Sequence, residues 1–260
     1  PRQNTGTATA AITTGNTAAT MSIDANRKHA GIARALPLLA TILGVALVVL
    51  AVPRVMAHAT LLPFGDVRSG LVTGRHILAH RLDEARSAFL TAAAWAPGEP
   101  SFWREQALIA RRLARSDGAS GDKRDYLLNE EALAAARHYV RLSPGDGYAW
   151  ALFAQTRIDA DARPADVVQE LRLARLTAPS RASVSLVHFR IAMLHWKDTP
   201  DEIREISMRE VLAYWRYRPL RPLLVSTYLE ADYAARAAFR EALGADPRAL
   251  KRFDRLLISG

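Results

Sequence analysis

Three observations on the sequence predict an all-α fold of stacked antiparallel helix pairs, preceded by one membrane-spanning helix. The first is a cadence that returns four times: a small apolar residue, then positions four, seven and twelve further on, the last always proline. It reads Ala85, Phe89, Ala92, Pro97; Ala132, Ala136, Tyr139, Pro144; Val167, Leu171, Ala174, Pro179; and Ala235, Phe239, Ala242, Pro247. The second is the spacing of those prolines, 35 residues from Pro144 to Pro179 and 68 from Pro179 to Pro247, a single period and its double. Recurrence at such a period marks stacked supersecondary units. The third is an uncharged run of 18 residues, Ala35 to Val52, bounded by Arg34 and Arg54. About 20 apolar residues cross a bilayer core, and arginine stems can reach outward to cover a small shortfall.

In chain order, the tail comes first. Residues 1–30 read as a disordered tail, in which the Thr- and Ala-rich stretch Pro1 to Thr20 carries no apolar periodicity. Met21 stands where a targeting segment conventionally starts, so the first twenty residues are set aside from fold reasoning. Residues 31–54 form the anchor. Arg27, Lys28 and Arg34 supply the positive flank that stays cytoplasmic, which sends the rest of the chain across the membrane. The rival expectation is a cleaved signal peptide, with Ala57-His58-Ala59 as the small-x-small cleavage site. Residues 55–65 read as a linker.

Residues 66–260 hold the repeats. The interval from Pro97 to Pro144 exceeds a 34-residue period by thirteen, and the polar stretch Ser116 to Asp125 accounts for the excess as an inserted loop. The double interval is filled by a degenerate unit: Ala182 to Trp196 as one helix, Asp201 to Tyr217 as the next, divided by Lys197-Asp198-Thr199-Pro200. Two of the four prolines are followed six residues later by tryptophan, at Trp103 and Trp150. On these residues the chain resembles the tetratricopeptide repeat family from Asp66 to Arg248, with a capping helix at Ala249 to Leu257. The resemblance implies about five degenerate helix pairs, and a concave face built from the first helix of each pair on which ligands lie. Counted in register from Pro100 and Gly147, that face includes Arg104, Leu108, Arg111, Tyr148 and Gln155. Its arginines suit an acidic or carboxylate-ended segment.

Composition narrows the function classes. There is no cysteine, which excludes disulfides, a thiol nucleophile and thiolate metal sites. Arginine outnumbers lysine 31 to 4, a GC-rich bias that points to a bacterium, and so to an inner membrane and periplasm. The net charge of +9 raises nucleic acid as a partner. From Arg54 onward, however, 31 basic residues are interspersed with 25 acidic ones, with no lysine-rich tract, so no nucleic-acid partner is expected and an anionic polysaccharide, lipid headgroups or an acidic protein fit better.

Candidate chemistry is sparse. His76 and His80 lie one helical turn apart with Asp83 and Glu84 beyond, yet no distant third ligand is evident, and neither a metal nor a cofactor is expected. His188 and His195 read as packing residues. Gly-x-Ser-x-Gly, the P-loop and His-Glu-x-x-His are absent, leaving Glu105 or Glu130 as the one route to a glycan-cleaving enzyme. The segment Tyr214, Trp215, Arg216, Tyr217, Arg218 and Arg221 alternates aromatics with guanidiniums as a docking patch; the competing reading puts some of its aromatics in a core face and its prolines in an inter-repeat corner. The expectation is a non-catalytic, membrane-anchored periplasmic scaffold for an envelope complex, in surface-polysaccharide assembly, export or secretion. The rivals are a cleaved glycan-binding or glycan-cleaving protein and a regulatory subunit of an integral-membrane enzyme.

Overall fold

The computed structural model describes residues 17–73, 77–116, 123–179 and 181–259. Every regular element among them is helical. The order is α1 (Thr17–Leu61), α2 (Gly65–Thr73), α3 (Ala79–Trp95), α4 (Pro100–Ser116), α5 (Lys123–Leu142), α6 (Gly147–Asp159), α7 (Val168–Thr177), α8 (Ala182–Leu194), α9 (Asp201–Arg216), α10 (Arg221–Glu230), α11 (Tyr233–Gly244) and α12 (Pro247–Ser259), with short 3₁₀ turns before α2, α7 and α10. The all-α expectation is met at the level of fold class.

The described residues divide into two compact units, the first ending at Val55 and the second beginning at Met56. In the first, the apolar run lies within α1. Leu39, Ile42, Leu43, Val45 and Leu47 to Leu50 are all exposed, and the helix from Leu39 contains an 18-residue window of mean hydropathy 2.3, none of it buried. It is long and apolar enough to cross a membrane. Helix α1 also begins at Thr17, inside the segment expected to be tail, while residues 1–16 lie outside the described residues.

The second unit corrects the expected linker at 55–65. Helix continues to Leu61, and Ala57 and Leu61 are buried in a cluster with Val67, Leu82, Phe89 and Phe102. His58 meets Phe102 edge-on, with ring centroids 5.3 Å apart. The segment shows no longer amphipathic row to read, because only two residues four apart, Ala57 and Leu61, turn inward.

From α3 to α7 each helix packs on the next, and α8 joins α6 to α9. The cadence explains the packing. All three residues before proline are buried in the copies on α3, α5 and α7, where Val167 sits at the end of the preceding 3₁₀ turn; on α11, Ala235 and Phe239 are buried and Ala242 half-buried. Residues at i, i+4 and i+7 share one face of a helix, and small side chains there let neighbouring backbones approach closely.

The corners repeat bond for bond. The amide before each of the first three prolines donates to the carbonyl of the third cadence residue: Ala96 to Ala92 at 2.9 Å, Ser143 to Tyr139 at 2.9 Å, Ala178 to Ala174 at 3.1 Å. Three residues on, Glu99, Asp146 and Arg181 donate back to Ala96, Ser143 and Ala178. The residue before proline is sterically driven out of the helical basin, and Ala96 (φ −135°, ψ 71°) and Ala178 (φ −149°, ψ 66°) adopt nearly the same departure. Proline then brings no N–H to extend the helix. The tryptophans complete two corners: the indole N–H of Trp103 donates to the Pro97 carbonyl at 2.9 Å, and that of Trp150 to the Pro144 carbonyl at 2.8 Å. The fourth proline acts differently. Pro247 is the first residue of α12, and the Asp246 carboxylate accepts from the Arg248 and Ala249 amides as an N-cap.

The two helices expected over Ala182 to Trp196 and Asp201 to Tyr217 are α8 and α9, close to those bounds. The inserted loop is shorter than expected, since Lys123 to Asp125 belong to α5; residues 117–122 lie outside the described residues.

Candidate functional site

Helices α4 and α6 carry all five residues assigned to the groove. Arg104, Leu108 and Arg111 lie on successive turns of α4, Tyr148 and Gln155 on α6. Leu108 and Tyr148 pack against one hydrophobic cluster with Trp103 and Trp150. Arg104 and Arg111 both act on the Tyr148 phenol: burial raises its pKa, and these two cations, with Arg181, oppose the rise. Gln155 is buried on α6, one turn before Asp159.

The arginines are not free to solvent in the way an open face would present them. Arg111 is buried, and its Nε donates to Asp159 Oδ2 at 2.5 Å. Arg115, a turn later, donates to Asp159 Oδ1 at 2.8 Å. Burial works to raise the Asp159 pKa, but the two guanidiniums more than offset it and hold the carboxyl below its ordinary value. Arg104 pairs with Glu105, which also takes Arg68 through Nε at 2.9 Å. Glu105 is therefore engaged by two guanidiniums on a buried face, and Glu130 lies exposed on α5.

A second polar node sits at the corner before α6. Asp146 caps α6 by accepting from the Tyr148 amide at 3.0 Å, accepts the Tyr139 hydroxyl, and pairs with Arg181 at 2.5 Å. The Arg181 guanidinium lies 5.6 Å from the Tyr148 ring centroid. Asp159, Arg115, Asp146 and Arg181 were missed from sequence. Arg115 and Asp159 had a usable signal, being four residues beyond Arg111 and Gln155 and so on the same helical faces.

The docking segment divides. Tyr214 and Trp215 are buried in the C-terminal core, Trp215 edge-on to Phe253 at 5.7 Å. Arg221 folds back over the Trp215 ring at 5.1 Å and donates its Nε to the Trp215 carbonyl at 2.9 Å. Of its six residues only Arg216, Tyr217 and Arg218 remain exposed. The corner reading of Pro219 and Pro222 agrees with the 3₁₀ turn Arg218–Leu220 and the start of α10.

Among the described residues no group of three His, Asp or Glu could hold a metal ion. His80 is exposed, and His76 lies outside the described residues. His188 is buried with both ring nitrogens unpartnered, and its pKa falls to about 4, through burial and then the nearby Arg175 cation. Compared with known proteins, the chain matches no family model, no curated protein and no solved structure.

Proposed function

We propose that the chain is a membrane-anchored, tetratricopeptide-like adaptor whose helix pairs form a solenoid in the periplasm and hold components of an envelope assembly together. The observation that carries this reading is the repeated corner. Three helix ends close with the same pair of backbone bonds, and two add the same indole-to-carbonyl bond, as units of one stacked design would. The exposed apolar stretch of α1 supports anchoring. Retention of the anchor is favoured over cleavage because the 18-residue apolar run exceeds the usual signal-peptide core and Pro53-Arg54 separate it from the small-x-small site at Ala57 to Ala59.

The groove of α4 and α6 is the proposed partner surface, with an acidic peptide segment as its ligand. A structural role for Glu105, paired with Arg68 and Arg104, favours a non-catalytic protein. The test is a crosslinking pull-down from native membranes through a C-terminal tag, with the mass of the recovered chain read in the same run. An intact chain with a stoichiometric partner is expected, and partner capture weakens in Arg104→Ala. A chain starting near Thr60 with no retained partner would overturn the reading. Reversing charge at Arg111 would test the fold instead, because it would set a second carboxylate against Asp159.

A further inference from the structure

The groove carries more positive charge than its own carboxylates neutralise. Arg111 and Arg115 on α4 together engage both oxygens of Asp159, at the end of α6. Arg190 on α8 reaches Glu230 only at 3.4 Å. Helix α6 packs against both α4 and α8, so three alternate helices bring Arg111, Arg115 and Arg190 within electrostatic reach of one another. The Arg111 side chain is 8% exposed, and its Nη2 is buried with no hydrogen-bond partner. Arg190 Nε is likewise buried and unpartnered. Burial lowers the pKa of both guanidiniums; the positive charge of Arg115 lowers both further, against the opposing pull of Asp159. Arg190 also feels the repulsion of Arg111. Buried cations with unpaired N–H groups are costly unless an anion completes them.

We propose that Arg111, Arg115 and Arg190 form a carboxylate-binding site, taking one carboxylate of a peptide laid along the groove between Arg111 Nη2 and Arg190 Nε. This deepens the groove reading and rests on it. Charge balance selects the ligand class. Three guanidiniums against Asp159 and Glu230 leave one positive charge, which a carboxylate neutralises and a phosphate dianion would overshoot beside two resident carboxylates. Both unpaired N–H groups lie below the surface. The ligand reaches them as the outer Arg115 side chain, 41% exposed, turns aside.

The test uses the full chain in detergent micelles, labelled with ¹⁵N-arginine, and sodium acetate as probe, exchanged against sodium chloride at constant ionic strength. The Arg111 Nε–H signal is expected to shift saturably with acetate, and Arg190→Gln to weaken binding about tenfold or more, the loss of one charge-assisted bond. If Arg190→Gln fails to fold, the more exposed Arg115→Gln serves in its place. N-acetylglycine and N-acetylaspartate α-amide, titrated in parallel, separate a chain terminus from an acidic side chain. No saturable shift, or equal affinity in the variant, overturns the site. Acetate binding with partner capture indifferent to Arg190→Gln leaves the site standing and sinks the groove reading; capture weakened by Arg104→Ala without acetate binding does the reverse.

Discussion

Gly147→Ala separates two physical effects that point in opposite directions. Gly147 opens α6 against the end of α7. A Cβ built there would lie 2.3 Å from the Ala174 carbonyl oxygen, 2.6 Å from Ala178 Cβ and 3.0 Å from Thr177 Oγ1. The carbonyl cannot step aside, because it already accepts from the Ala178 amide at 3.1 Å in the corner that ends α7. An ordinary contact requires more than 3.4 Å, so the two helices must part by roughly 1 Å, and the cluster of Ala151, Ala154, Val167, Leu171 and Ala174 between them loosens. Overpacking of this kind costs about 1–3 kcal/mol. Backbone entropy alone would make alanine better than glycine by about 0.4–1 kcal/mol. The net expectation is a loss of about 1–2 kcal/mol, or roughly 2–8 °C in Tm for a domain of this size. Thermal unfolding by circular dichroism at 222 nm on the full chain in detergent measures it. Gly145→Ala is the control: a Cβ there meets nothing within 4 Å, and that variant should match or exceed the parent. A Gly147→Ala protein as stable as Gly145→Ala would refute the close approach of α6 and α7.

Four further outcomes are expected. Trp150→Phe keeps the ring and removes the N–H to Pro144, and should cost about 1 kcal/mol in a denaturant melt; an unchanged midpoint would mean the corner does not depend on that bond. Asp232→Ala removes the carboxylate that accepts from the Ala235 amide at 2.8 Å and caps α11, at about 1 kcal/mol. The same change at Asp146 should cost more, since Tyr139 and Arg181 lose their acceptor as well. His188 gives a pH dependence of fixed sign. Its folded pKa of about 4 lies below the ordinary 6.5, so between those values the unfolded chain binds the extra proton; stability is full above pH 6.5 and falls by up to about 3 kcal/mol as pH drops to 4. Arg175 strengthens the effect and Glu210 opposes it. Melts of parent and His188→Leu across that range should diverge with falling pH, and parallel curves would exclude His188 as the source.

The sequence by itself determined the helical class, the faces that turn inward and where the helices stop. These are local properties. An i, i+4, i+7 row of small and aromatic residues has one buried face whatever it packs on, and proline ends a helix through its own ring, so Ala85, Phe89, Ala92 and Pro97 could be read without a partner in view. The apolar run of α1 was legible for the same reason. Tertiary structure decided what those faces meet. It drew Ala57 and Leu61 from an expected linker into the core, and placed Tyr214 and Trp215 inside where an exposed patch was one reading. Of the residues assigned to a groove, register alone picked out Arg104, Arg111 and Tyr148. It could not show that Asp159, 48 residues from Arg111, consumes one guanidinium edge, or that Arg190 on α8 comes within electrostatic reach of both. Whether an arginine is solvated, paired or left wanting an anion depends on the charges that folding brings within a few ångströms, and those come from helices distant in sequence.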